Sequence, residues 1–353
     1  MRKIFLDALA KAQAQRELTK DDLKVLLSAE GDEAPLLFKH ADAVRERYLG
    51  REVHLRGIIE LTNYCKQNCH YCGLRRGNEQ LSRYRLTYKE IMTAAEQAVA
   101  LGYKTLVLQG GEDSYYSPQG IYELVKEIKK MDVAVTLSLG EYDFDTYQLW
   151  RQAGADRYLI KHETADALLY ARLRPGRSLN ERLQCQRWLK ELGYELGSGC
   201  MVGLPGQTLD TLAEDLLLLK KMDVDMAGIG PFIPHPQTPL ASAQQGTLEM
   251  TLKMVALARI TMPLVHLPAT TALGTIHPEG REKALQAGAN VVMPNVSPSE
   301  YRALYQIYPN KICIRDEPAH CRSCITGKIK ALGRVVSVSR GYSPKGGTTH
   351  ENC

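Results

Sequence analysis

Apolar and polar positions along the chain change period once. Over the first fifty residues the spacing is helical. Thr19-x-x-Asp22 has the form of a capping box ahead of Leu23, Val25, Leu26 and Leu27, and a second amphipathic run covers residues 36–49. From Val53 onward, short apolar segments alternate with helical ones. The apolar segments centre on residues 58–61, 105–108, 134–137, 157–160, 196–202, 226–229, 263–267 and 290–293. Between them, Thr87-x-x-Glu90, Ser178-x-x-Glu181 and Ser297-x-x-Glu300 read as capping boxes, the last with Pro298 at the first helical position. Gly102, Gly154, Gly193 and Gly288 fall where helices are expected to stop.

Eight strand-then-helix repeats predict an α/β fold with a single (β/α)8 TIM-type barrel over residues 51–310. Residues 1–50 form an N-terminal helical extension, and residues 311–353 form a short C-terminal cysteine-bearing segment, expected to pack loosely at its end. The competing arrangement is an open doubly wound sheet. It is disfavoured because the count reaches eight and no G-x-G-x-x-G follows the first strand. In a barrel, chemistry gathers just after each strand, which directs attention to the residues following 61, 108, 138, 160, 202, 229, 267 and 293.

Composition narrows the compartment and the ligand. No apolar stretch approaches the roughly 18 residues that a membrane span needs, and Asp7 breaks the N-terminal apolar run too early for a secretory signal. A cytoplasmic protein is expected, with no membrane partner, and its nine cysteines should serve metal or chemistry rather than disulfides. A net charge of +5 suits an anionic small molecule and is too diffuse for nucleic acid.

The sharpest local signal is Cys65-x-x-x-Cys69-x-x-Cys72, directly after the first strand. Three thiolates suit a four-iron cubane that keeps one iron free of protein ligands, whereas structural zinc takes four; a zinc loop completed by His70 is the alternative. Gly110, Gly111 and Glu112 follow the second strand, and Thr136 with Ser138 closes the third. The fourth delivers Lys161-His162-Glu163-Thr164, an unusual charge density for the end of an apolar strand, with Glu163 expected inward. Arg182 opens a helix. Met201 and the run Gly228-Ile229-Gly230 bring backbone close to a pocket, Thr270 and Thr271 offer adjacent hydroxyls, and Arg56 would add a positive charge if it points into the barrel.

Cys65-Lys66-Gln67-Asn68-Cys69-His70-Tyr71-Cys72 resembles the signature of the radical S-adenosylmethionine (SAM) enzymes, three cysteines with an aromatic before the last. Together with His162-Glu163-Thr164-Ala165, residues 187–194, 199–207, 228–239, 267–273 and 291–295, the chain is similar over essentially its whole length to the HydE family of FeFe-hydrogenase maturases. That family is related to biotin synthase and methylornithine synthase. The resemblance implies a 4Fe-4S cluster on Cys65, Cys69 and Cys72, with SAM chelated to the open iron. Reductive cleavage of SAM then gives a 5′-deoxyadenosyl radical that abstracts hydrogen, so no side chain need act as acid or base. Cofactor contacts are implied for Tyr71, Gly110, Gly111, Glu112, Thr136, Glu163, Arg182, Met201 and Ile229. An inner cavity for substrate, a small molecule or an organometallic iron species, is implied at Arg56, Lys161, Thr270, Thr271, Met293 and Tyr305. The family generally carries arginine where this chain has Lys161, which keeps the charge and loses the planar two-pronged donor.

Cys313, Cys321 and Cys324 match the spacing of an auxiliary iron–sulfur site (2Fe-2S or 4Fe-4S) found in some members; zinc with His320 is the alternative. Cys185 and Cys200 read as buried apolar positions, and Cys353 has no assigned role. The implied partners are an electron donor such as a ferredoxin or flavodoxin and other hydrogenase maturation proteins. Three rivals stand beside this reading. A methylornithine synthase would differ in substrate, a biotin synthase relative would need further cluster cysteines on barrel strands, and a non-catalytic zinc-binding module would need basic clustering that is absent.

Overall fold

The computed structural model describes residues 1–345; Cys353 lies outside them. Strand β1 (Glu52–Leu55) and strand β2 (Gly57–Thr62) are one barrel strand interrupted at Arg56. Then come β3 (Thr105–Gly110), β4 (Ala134–Ser138), β5 (Arg157–Leu159), β6 (Glu195–Ser198), β7 (Met201–Val202), β8 (Met226–Ala227), β9 (Gly230–Pro231), β10 (Val291–Val292) and β11 (Val335–Val336). A six-stranded parallel sheet runs in the order β2-β3-β4-β5-β6-β8, and β7 pairs with β9 as its continuation.

Single bridges complete the ring. His266 bridges to Met226, Pro268 to Val291, and Ile58 to Asn295. The last seam is held by Ile58 N donating to Pro294 O and Val296 N donating to Ile58 O, both at 2.8 Å. The barrel expected from eight repeats is therefore present. Its seventh position is reduced to bridging residues rather than a strand over 263–267.

Capping boxes form at Thr19/Asp22, Thr87/Glu90 and Ser178/Glu181, and the four expected glycine stops have φ between +78° and +104°. The expected box at Ser297 does not form. Ser297 Oγ instead accepts from Glu60 N at 2.8 Å, so its hydroxyl serves the barrel seam, and Pro298 takes the cap position itself, one residue earlier than expected.

The N-terminal helices Lys3–Gln13, Lys20–Leu27 and Glu33–Leu49 cover the helices Leu209–Lys221 and Leu248–Thr261. This explains why Leu248–Thr261 is apolar nearly all round: it is sandwiched between barrel and extension.

The C-terminal segment is packed as far as Lys345; the end expected to pack loosely lies outside the described residues. Strand β11 adds in parallel to β1, and residues 337–345 cross the floor of the barrel. There Arg157 Nη2 donates to Gly341 O at 2.8 Å, His266 Nε2 to Tyr342 O at 3.1 Å, and Ser343 Oγ to Asp225 Oδ1 at 2.6 Å. The floor of a parallel barrel exposes unpaired strand starts, and the segment satisfies them. No helix among the described residues is long and apolar enough to cross a membrane.

Candidate active site

A cavity of about 410 Å³ opens at the C-terminal end of the barrel strands, within the range of small-molecule sites. The loop that follows β2 forms one wall and is hung on backbone hydrogen bonds. Lys66 N donates to Glu112 O at 2.9 Å, His70 N to Leu173 O at 2.8 Å, and Gly73 N to Ile307 O at 3.1 Å. Arg83 clamps its far side through the carbonyls of Leu74 and Arg75 at 2.9 and 2.8 Å. Glycine is required at Gly111, where a Cβ would lie 2.1 Å from Tyr64 O.

This loop brings Cys65, Cys69 and Cys72 to the cavity as unbridged thiols. Burial pushes Cys65 up to about 11 and raises Cys69 and Cys72 as well, with repulsion from neighbouring thiols adding at Cys65 and Cys72. Such thiols ionise when a metal supplies the compensating charge. Among the described residues, the group of three His, Cys, Asp or Glu donors within 4.8 Å of one another is His162, Cys200 and Asp215, not this trio. The cysteines thus stand too open for one tetrahedral ion, whose sulfur ligands would be about 3.8 Å apart at ordinary Zn–S lengths. His70 does not line the cavity. The donor set fits a cluster and not a zinc loop.

Opposite the trio, the fourth strand turns Glu163 inward. Its φ is +67°, a conformation disfavoured for a side chain of this size, and its Oε2 is buried without a hydrogen-bond partner. Lys161 Nζ lies 3.4 Å from it. His162 points the other way into the core, where Nε2 donates to Asp215 Oδ1 at 3.0 Å and Nδ1 accepts from Ser198 Oγ at 3.1 Å. Arg182 is buried; its Nε donates to Glu141 Oε1 at 2.6 Å and its Nη1 to Lys161 O at 2.9 Å. Burial alone would raise the Glu141 carboxyl, but Arg182, Arg174 and Arg177 hold it down at about 2.

Tyr71, Gly110, Gly111, Glu112 and Met201 share this wall, and Lys161, Thr270, Thr271, Met293 and Tyr305 line the deeper part of the same cavity. Thr270 caps the helix Thr271–Ile276, and Thr271 Oγ1 accepts from Arg281 Nη2 at 3.1 Å. Three expected residues lie elsewhere. Arg56 and Thr136 line a separate, nearly filled cavity lower in the barrel. Arg56 reaches Gly341 O and Met226 Sδ, each at 3.2 Å, and Thr136 sits one layer below Ser138, the residue of that strand that does line the main cavity. Ile229 buries its side chain in the core, while Gly228 and Gly230 on either side face the cavity.

Cys313 and Cys321 line the cavity rim, whereas Cys324 is exposed on the helix Pro318–Ala331. A hydrogen bond with Cys321 lowers Cys313 to about 6 and raises Cys321. Cys185 and Cys200 are buried as expected.

Sequence reasoning missed Glu60, Lys311 and Arg174. Glu60 and Lys311 form a buried ion pair, with Asn295 Nδ2 donating to Glu60 Oε2 at 2.6 Å. A glutamate inside the apolar 58–61 segment was the available signal. Arg174 had none, because its place depends on how the helix Ala167–Leu173 ends.

Comparison with known proteins matches these features. The profile of the Radical SAM superfamily fits residues 59–219. The chain is 57% identical over 323 residues to the [FeFe] hydrogenase maturase subunit HydE of Thermotoga maritima, covering 91% of this chain and 92% of that protein. It is 33% identical over 288 residues to the 3-methylornithine synthase of Methanosarcina acetivorans, covering 80% and 81%. The crystal structure of methylornithine synthase (PylB) superposes with a TM-score of 0.84 at 28% identity, over 94% of this chain and 97% of that one. The chain is a radical SAM enzyme, and it belongs, within that superfamily, to the HydE family. The family implies a 4Fe-4S cluster and SAM.

Proposed function

We propose that this chain cleaves SAM reductively and acts in assembling the two-iron centre of FeFe-hydrogenase, on a cysteine-ligated organometallic iron precursor or a related thiol-containing small molecule. The observation that carries this reading is one cavity lined both by three open thiols and by a polar set made of Lys161, Thr270, Thr271, Tyr305 and the Glu60–Lys311 pair.

When bound, the cluster and SAM supply an electron and a 5′-deoxyadenosyl radical. The protein's own residues bind, orient and exclude water. Cys65, Cys69 and Cys72 hold the cluster. Glu163, with one oxygen lacking a hydrogen-bond partner, and Arg182, fixed by Glu141, take the polar end of SAM, beside Met201 and the backbone of residues 110–112. The adenine side is met by backbone at residues 228–230. Lys161 Nζ supplies a point charge for a substrate carboxylate, and Tyr305 OH, which accepts from Gln109 Nε2 at 3.2 Å, is held facing the same cavity. No side chain has to move a proton.

Cys313, Cys321 and Cys324 are assigned to an auxiliary iron–sulfur cluster, two of them being already on the cavity rim; Cys324 would have to be reached on its exposed helix face. The chain works in the cytoplasm with a ferredoxin- or flavodoxin-type donor and the other maturation proteins.

The test is complementation. Expression in a strain lacking this maturase alone is expected to restore hydrogenase activity. Failure there, combined with formation of 3-methylornithine by the purified protein, would select the methylornithine synthase reading instead.

A further inference from the structure

Arg174 is a cavity cation with two side-chain nitrogens left without hydrogen-bond partners. It closes the helix Ala167–Leu173, is 5% exposed and lines the cavity, yet its Nε and Nη2 are buried without an acceptor. The nearest carboxylate oxygens, Glu112 Oε1 at 3.6 Å and Glu141 Oε1 at 3.8 Å, lie beyond hydrogen-bond reach. Both carboxylates are engaged elsewhere, Glu112 by Gln67 Nε2 at 2.6 Å and Glu141 by Arg182 Nε at 2.6 Å. Leaving a buried charged donor unmade is unfavourable, a cost that a bound acceptor removes.

The backbone says where that acceptor is. His70 N donates to Leu173 O at 2.8 Å, which ties the residue after Cys69 to the residue before Arg174. Cys69, Arg174 and Arg182 line the same cavity. Arg182 is already committed to Glu141 and Lys161 O, so the free donors next to this cysteine belong to Arg174.

We propose that Arg174 donates N–H···S hydrogen bonds to the Cys69 corner of the iron–sulfur cluster and raises its reduction potential. The proposal rests on the reading that Cys65, Cys69 and Cys72 hold a cluster. Reduction adds one negative charge to the cluster, and a fixed cation with N–H donors at its edge stabilises the reduced form more than the oxidised one. Arginine suits the task because it stays protonated in a buried site and presents a rigid fork.

The test is an EPR-monitored redox titration of anaerobically reconstituted protein without SAM, following the signal that is absent in Cys69→Ala. Arg174→Gln is expected to hold wild-type iron and to be about tenfold harder to reduce, a fall in midpoint potential of about 59 mV for a one-electron couple. Arg174→Lys, which keeps the charge without the fork, is expected to fall between the two. An unchanged midpoint in Arg174→Gln overturns the proposal, and a loss of SAM affinity in the same protein would then assign the arginine to the cofactor carboxylate. Failure of both variants to hold a cluster also overturns it, making the residue a support of the loop. If the wild-type protein builds no cluster, the fault lies in the reading of the cysteine trio.

Discussion

His162 donates from Nε2 to Asp215 Oδ1 at 3.0 Å, both side chains fully shut off from solvent, and the pair sets the backbone on which Glu163 stands. Asp215 Oδ1 also accepts from Ala165 N at 2.5 Å, so one carboxylate grips the chain on both sides of Glu163. This grip, with Glu163 N donating to Gly199 O at 3.0 Å, keeps Glu163 at positive φ and its carboxylate toward the cavity. Leaving a buried donor without its acceptor costs about 1–3 kcal/mol. Asp215→Ala is therefore expected to lower unfolding free energy by that order and to weaken SAM binding at least tenfold, measured by denaturant titration and calorimetry. Wild-type SAM affinity in a folded Asp215→Ala protein would show that Glu163 needs no such support.

Lys161 carries a separate prediction. Its ammonium lies beside Glu163 and faces the cavity. Lys161→Ala is expected to weaken binding of carboxylate-bearing ligands by about tenfold and to leave the cluster's absorption spectrum unchanged, while Lys161→Arg tightens the same ligands by supplying a two-pronged donor. Loss of the cluster spectrum in Lys161→Ala would make the lysine structural.

Glu141 makes stability depend on acid. Its carboxyl is held at about 2 against an ordinary value of 4.5. A depressed carboxyl stabilises the fold fully above the unfolded value, and that contribution fades as pH falls from about 4.5 to about 2. The amount at stake is on the order of 3 kcal/mol. Urea unfolding of the metal-free protein across this window should show the loss, and Glu141→Gln should start lower and flatten the slope. An unaltered slope in that variant would place the acid sensitivity elsewhere.

Gly111→Ala tests the loop itself. The added Cβ would meet Tyr64 O at 2.1 Å and Cys65 Cβ at 2.8 Å, and backbone cannot yield as a flexible side chain can. Reconstituted iron is expected to fall to less than half of the wild-type content with little change in far-ultraviolet circular dichroism. Full iron content would show that the loop has more room than its packing indicates.

Much of this site was legible from strand ends alone. Cys65, Gly111, Glu163 and Thr270 each follow an apolar segment of the expected barrel, and the barrel rule sends such residues to one face. What escaped depends on depth and on tertiary course. Arg56 and Thr136 have the right alternation and the wrong layer, since period two says which face a residue takes and not how high it stands. The floor-crossing of residues 337–345 has no periodic signature; its polar atoms are matched to Arg157, Glu195, Asp225 and His266, which are far away in sequence. The Ser297 capping box failed for a related reason, because its hydroxyl was claimed by Glu60 N across the seam.

The most direct measurement is SAM cleavage. Protein reconstituted anaerobically with iron and sulfide, then given dithionite and SAM, is expected to yield 5′-deoxyadenosine and methionine, and Cys69→Ala is expected to yield neither. Absence of 5′-deoxyadenosine from the fully reconstituted wild-type protein, or undiminished cleavage by Cys69→Ala, would contradict the assignment of these cysteines to a SAM-cleaving cluster.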